Sequence, residues 1–296
     1  MNDAELYQQG NTLQTRDALL CLQEYAPRIR WATGDIVVDI GCGDGSVTTR
    51  ILKKTLPPDH KLIGCDKSDK MVMFANEHYG RDATSFIVLD IENDLPKGLR
   101  ENFDHAFSFY ALHWIKHQKA AFTNIYDLLA EGGDCLLMFL GHMPVYDVFR
   151  LLAQSNKWRT WLKDVDRFIS PYHDCKDPEK EIKRMMTDIG FKDVEVKCSE
   201  RSFLYESTTA IKKAVAGVNP FEIPKDRVED FLEDYLAIVK EKYLIDHANN
   251  NSTESFSKSI FTFLLFSVTF LFVFISLVFI TFLLVSGLQK SIFCLS

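Results

Sequence analysis

Three alternating glycines, Gly41, Gly43 and Gly45, follow a short apolar run that carries an acid, Ile36-Val37-Val38-Asp39-Ile40. Glycines so placed let a strand double back tightly and aim the N–H groups of the next helix, here from Ser46, into a crevice. The spacing is G-x-G-x-G, not the G-x-G-x-x-G of dinucleotide sites. A carboxylate at the mouth, Asp39, suits a cationic ligand better than a pyrophosphate. Further acids recur at intervals that fit the ends of later strands. Asp66 lies about 20 residues beyond the glycines, where an acid can accept both hydroxyls of a ribose. Asp90-Ile91 can take an adenine amino group and cover the ring. Lys67, beside Asp66, and Ser108, in the fourth strand, complete the candidate cofactor set. Asp66 also reads as a helix cap, although Ser68 can take that job, and Asp90 also reads as a turn residue.

An acid-rimmed glycine turn suits S-adenosylmethionine, which carries an ammonium, a sulfonium and a carboxylate. Gly-x-Gly-x-Gly after a strand bearing Asp resembles the first motif of the class I S-adenosylmethionine-dependent methyltransferases. The second informative stretch is Ser108-Phe109-Tyr110-Ala111-Leu112-His113-Trp114-Ile115. In an open parallel sheet, ligands gather at the carboxyl ends of strands, so His113 and Trp114 stand where a methyl group would be presented. Trp114 also reads as a core aromatic and His113 as a structural histidine. No Asn-Pro-Pro-Tyr is present, which removes support for methylation of a base or an amide nitrogen.

The elements that must position these residues alternate strand and helix, as an α/β chain does. Residues 11–30 read as a helix with Asn11 or Thr12 at its start. Ala4 to Gln14, with Tyr7 and Gln14, is placed to close over a pocket, although Gln14 by its own pattern reads as a surface residue. Strands are expected at Ile36–Ile40, Lys61–Cys65, Ser85–Leu89, His105–Phe109, Asp134–Leu140 and Val194–Tyr205, with a turn at Glu131-Gly132-Gly133. Helices are expected at Met71–His78, Lys119–Leu129, Thr208–Val218 and Lys225–Lys242. A helical cap over 142–190 starts helices at Pro144 and Asp177-Pro178 and ends at Gly190. Its aromatics (Phe149, Trp158, Trp161, Phe168, Tyr172) suit either a roof over an apolar pocket or a small satellite core.

Composition narrows the partners. The 296 residues carry a net charge of −7, which argues against a nucleic-acid partner, because phosphate binding needs a basic face. Seven cysteines without a C-x-x-C pair suggest neither a metal site nor a disulfide framework. Met1 to Gln9 is polar and does not read as a signal peptide, so the catalytic part is expected in the cytoplasm. After a domain spanning 1–248, residues 249–259 read as a polar linker. Residues 260–287 hold no charge and, as a helix, would extend about 42 Å, more than the roughly 30 Å a membrane span needs. A transmembrane helix that tail-anchors the chain is the favoured expectation. The rival is a seventh strand around Phe261–Val268.

The segments MNDAELYQQGNTLQTRDA, VVDIGCGDGSVT, FSFYALHWI, EGGDCLLMFL and MPVYDVF together resemble the insect juvenile hormone acid methyltransferases over about residues 1–245. The resemblance implies a Rossmann-like class I sheet with a helical cap, to which the chain adds a hydrophobic C-terminal segment. It implies O-methylation, by S-adenosylmethionine, of the carboxylate of farnesoic acid or juvenile hormone acid, a small apolar acid. It also implies that Gln14 and Trp114, with His113 beside them, serve that carboxylate, while Asp39, Gly41, Gly43, Asp66, Lys67, Asp90, Ile91 and Ser108 serve the cofactor. The family's last strand has no counterpart right after the Lys225 helix, which puts sheet completion in question. Two alternatives stand beside this reading: methylation of another small or fatty acid, and a membrane-anchored cofactor-binding protein without turnover.

Overall fold

The structure, a computed structural model, describes residues 4–243 and 259–270. Its strands are β1 (Ile36–Ile40), β2 (Lys61–Asp66), β3 (Thr84–Val88), β4 (Phe103–Phe109), β5 (Leu129–Leu140), β6 (Val194–Tyr205) and β7 (Ser259–Phe270). They form one sheet in the order β3-β2-β1-β4-β5-β7-β6. Pairings among β1 to β5 are parallel, and β7 runs antiparallel between β5 and β6. The helices are α1 (Ala4–Gly10), α2 (Thr12–Tyr25), α3 (Ser46–Arg50), α4 (Asp69–Tyr79), α5 (Gln118–Leu128), α6 (Pro144–Gln154), α7 (Pro178–Ile189), α8 (Thr208–Val218) and α9 (Val228–Tyr243).

Successive side chains of a strand point to opposite faces, and both faces here are covered. Val37, Phe107, Leu136 and Met138 enter one core with residues of α2, α6 and α9. Their neighbours Val38, Ala106, Leu137 and Phe139 enter a second core with α5 and α7. Burial on both sides explains why these strands read as continuous apolar runs without alternation. Helix ends follow local chemistry. Ser68 caps α4 by accepting from Met71 N–H at 3.4 Å, Asp177 caps α7 by accepting from Lys180 N–H at 3.2 Å, and Gly190 ends α7.

Three expectations need correction. The helix expected over 11–30 begins at Thr12 but ends at Tyr25, with one tighter turn over Ala26–Arg28, and Asn11 at its N-cap position gives its side chain not to a cap but to Ser46 Oγ at 3.1 Å. The Glu131-Gly132-Gly133 signal lies within β5 as an irregularity, since Phe103 pairs with Leu129 and His105 with Asp134. The membrane helix over 260–287 is overturned at its start. Residues 260–270 lie in β7, so the rival reading as a strand holds, and Ser259 belongs to the strand rather than the linker. Among the described residues no helix is long and apolar enough to cross a membrane. The rest of the expected span, from residue 271, and the linker up to 258 lie outside the described residues. The aromatic cap divides. Trp158 is buried against α9, with its indole donating to Asp234 at 2.7 Å, whereas Phe149 and Phe168 face cavities described below.

At the opposite end of the sheet from the glycine turn, His105 bridges two carboxylates. Its ring nitrogens lie 2.7 Å from Asp134 Oδ1 and 2.9 Å from Asp35 Oδ2, all but out of solvent. Burial opposes charge on the ring, but the bonds and charges of Asp134 and Asp35 outweigh it and lift its pKa above the ordinary 6.5. A raised folded-state pKa means that the charged ring stabilises the fold below pH 6.5 and that this contribution is lost as pH rises through the raised value.

Thermal melting between about pH 6 and pH 8 should therefore show stability falling as pH rises, and His105→Asn should flatten that slope. The variant leaves two buried carboxylates facing one another, a cost of about 3–5 kcal/mol, or a melting point lower by on the order of 10 °C. A chain ending before Ser259 leaves β5 and β6 without the strand between them. It is expected to be insoluble on expression, and a soluble, cooperatively melting product would contradict the pairing.

Candidate active site

The carboxyl ends of β3, β2, β1 and β4 lie side by side because the strands are parallel and in register, with Asp66 opposite Val88 and Ile40 opposite Cys65. The chain leaves these four ends as Asp90-Ile91, Asp66-Lys67, Gly41–Gly45 and Tyr110–Trp114. They rim a crevice of about 960 Å³. Gly41, Gly43, Asp66, Lys67, Asp90 and Ile91 all line it. Gly41 and Gly43 take φ of +73° and +55°, a region costly for other residues. The reasons for glycine differ along the loop. A Cβ on Gly41 would lie 2.1 Å from Ala111 Cβ, so protein packing excludes it, whereas at Gly43 it would project into the crevice with Tyr7 Cε1, at 3.9 Å, nearest.

Asp66 holds the loop. Its Oδ2 accepts from Gly43 N–H at 3.0 Å and its Oδ1 from Ser68 N–H at 2.9 Å. Burial raises its pKa, and the two N–H bonds pull it back. Asp39 is 2% exposed and does not itself line the crevice. Thr48 donates to its Oδ2 at 2.6 Å, but the buried Oδ1 has no partner. Burial pushes its carboxyl up to about 7. Asp44, also raised by burial, keeps an unpartnered Oδ2. Buried carboxylate oxygens without donors are short of positive charge, which is the fit expected of a site for a cationic ligand. Asp90 lines the crevice and also accepts from Glu92 N–H at 3.1 Å in its turn. Ser108 does not fit its expected role. It is fully buried, donates to Ile40 O at 2.8 Å and holds β4 to β1.

Next to the crevice lies a tighter, apolar pocket with about 60 Å³ of free space, room for only a few waters. Gln14, His113 and Trp114 all line it, so the structure brings together the three residues expected to serve an acid. Gln14 is buried and its Oε1 has no partner. Burial alone drives His113 down to about 3, and its Nδ1 accepts from Leu140 N–H at 3.3 Å. The ring is thus neutral with its proton on Nε2. Tyr7, Tyr110 and Trp114 line both cavities and so stand at the boundary between them.

The pattern of motifs did not single out Tyr7 or Tyr110 as site residues. Tyr110 takes a left-handed φ of +59° just past β4, and its hydroxyl donates to buried Asp17 at 2.6 Å. A positive φ at a bulky residue is a signal visible only in the backbone. Tyr7 rides on α1, which packs against α8; a Cβ on Gly10 would lie 2.7 Å from Lys213 O. Among the described residues, His142, Asp147 and His173 also bring ligand-type atoms within 4.8 Å of one another. Met143 N–H donates to His173 Nδ1 at 3.2 Å, which puts the ring proton on Nε2, facing Asp147 at 3.0 Å. The cluster is wired as a hydrogen-bond relay, not an open ligand set.

Residues 37–133 match the family model described as a methyltransferase domain. Over 84% of its length the chain superposes on 97% of the YcgJ protein of Bacillus subtilis with a TM-score of 0.54 at 15% identity, a likeness of fold. Sheet order, crevice and domain match define a Rossmann-like class I methyltransferase whose cofactor is S-adenosylmethionine. The chain is 55% identical over 259 residues to juvenile hormone acid O-methyltransferase of Bombyx mori, covering 87% of this chain and 93% of that one. It is 41% identical to the protein of the same name from Drosophila melanogaster, covering 87% and 89%. It belongs to the juvenile hormone acid O-methyltransferase family and is a carboxyl O-methyltransferase.

Because α1 brings Tyr7 to both cavities, Gly10→Val should lift that helix from α8 and weaken both ligands together. The expected effect is a KM about tenfold higher for donor and acceptor alike, equivalent to about 1.4 kcal/mol. Steady-state kinetics with each substrate varied in turn checks it.

Proposed function

We propose that this chain transfers a methyl group from S-adenosylmethionine to the carboxylate of juvenile hormone acid or farnesoic acid. The observation that carries this reading is the juxtaposition of Gln14 and Trp114 in an apolar pocket that shares Tyr7, Tyr110 and Trp114 with the acid-rimmed crevice. The names of the Bombyx mori and Drosophila melanogaster relatives supply the substrate class. The alternative without turnover rested on a missing last strand, and β7 takes that place in the sheet.

Gly41, Gly43, Asp66, Lys67, Asp90 and Ile91 would hold the cofactor, with Asp66 toward its ribose, Asp90-Ile91 toward its adenine, and Asp39 behind the turn acting through its charge rather than by contact. Bound there, it supplies an electrophilic methyl carbon on a sulfonium. A carboxylic acid with a pKa of about 4–5 is already ionised at neutral pH, so the chain needs no general base. His113, held neutral, is not required as one. The chain's own work is alignment and exclusion of water, which can contribute on the order of 7–11 kcal/mol to rate. Gln14 Nε2–H and Trp114 Nε1–H are neutral donors. They orient the acid's oxygens without the tight pairing an Arg would impose. The small free volume of the pocket requires its walls on α1 and α8 to part for a prenyl chain.

Gln14→Ala and Trp114→Phe should each lower kcat/KM for farnesoic acid by about 10–100-fold, the range for losing a buried hydrogen bond to a charged group. Cofactor affinity by calorimetry should stay within about threefold, less than 0.7 kcal/mol. Labelled methyl transfer to farnesoic acid and to straight-chain fatty acids checks the substrate class. Transfer to the fatty acids alone would replace juvenile hormone acid with a fatty acid as substrate.

A further inference from the structure

Tyr146 presents a polar group that the fold does not use. It lies in the first turn of α6, lines the apolar pocket and is 1% exposed. Its hydroxyl is buried and has no hydrogen-bond partner. Burial pushes the phenol far above its ordinary pKa, so it stays a neutral donor. Leaving a buried hydroxyl unpaired is costly, and a Phe would fill the same space without that cost. Elsewhere in the pocket wall the Tyr110 hydroxyl is committed to Asp17.

The ring of Tyr146 is also firmly held. It packs edge-on against His173, with centroids 5.2 Å apart and planes at 82°. His173 is fixed in turn by Met143 N–H and by Asp147. Around it the wall is apolar, with Val145, Phe149, Leu140 and Ile211. A rigid, unpaired donor in an apolar pocket is the arrangement that discriminates strongly for a ligand oxygen, because a ligand lacking it leaves the donor unsatisfied.

We propose that Tyr146 is a specificity-determining residue whose hydroxyl donates to an ether-type or hydroxyl oxygen carried on the hydrocarbon body of the acid, so that the pocket prefers an oxygenated acid over its hydrocarbon counterpart. This rests on the carboxyl-methylating reading of the site. In the juvenile hormone acid series the oxygen would be that of the epoxide, which farnesoic acid lacks.

The test is kcat/KM of the full-length chain with saturating S-adenosylmethionine for farnesoic acid and for the same acid carrying an epoxide, in wild type and Tyr146→Phe. Wild type is expected to favour the epoxy acid at least tenfold. Tyr146→Phe should lower kcat/KM for the epoxy acid about 10–100-fold, leave farnesoic acid within about threefold and melt no lower than wild type. A wild-type ratio of one or less overturns the proposal. So does an equal loss on both acids, which would place Tyr146 at the carboxylate or in the scaffold. A melting point several degrees lower in the variant overturns it too, by revealing a partner within the fold. Methylation of neither acid by wild type overturns the carboxyl-methylating reading and the proposal together.

Discussion

The site depends on one carboxylate spanning two strand ends. Asp66, at the tip of β2, accepts the N–H of Gly43 from the turn after β1 and the N–H of Ser68 from the start of α4. Those bonds hold the glycine turn open at Gly43, the one loop glycine whose missing side chain leaves free space. Asp39 and Asp44 stand close by, each with a buried oxygen that lacks a donor. Burial lifts all three acids above the ordinary carboxylate range. Three acids gathered at and behind the crevice make its neighbourhood one that suits a cationic ligand.

The neighbouring apolar pocket is built on the opposite principle. Nothing in the pocket wall needs a charge: His113 is kept neutral by burial, and Gln14, Trp114 and the tyrosines are neutral donors. Tyr110 joins the two halves. Its left-handed backbone turns the chain out of β4, its N–H donates to Met138 O at 2.8 Å, and its hydroxyl is tied to Asp17 on α2. A strained residue needs such over-determination to persist. The same bonds hold it where it lines both cavities.

The tail illustrates the limits of composition. Ile260 to Gly287 is one uncharged apolar run. Length favours a membrane helix, whereas a short piece of the same run fits a buried strand, and local chemistry does not separate the two. The sheet decides for its first part. β5 and β6 each have an edge to pair, and the backbone of residues 259–270 pairs antiparallel with both.

Strand-turn-helix punctuation, caps at Ser68 and Asp177, and the acids at successive strand ends were readable in sequence because each obeys a local rule of spacing or backbone geometry. Gln14 was named through resemblance to a family and Trp114 also through its place after the fourth strand, and both line the apolar pocket. What local rules could not place were long-range facts. Ser108 serves as a clamp, Tyr7 and Tyr110 line two cavities at once, the Tyr146 hydroxyl is left unpaired, and the last strand inserts between its neighbours. Each of these depends on which segments, distant along the chain, share a low-dielectric interior. There, the worth of a hydroxyl or carboxylate is set by the partners it finds or lacks.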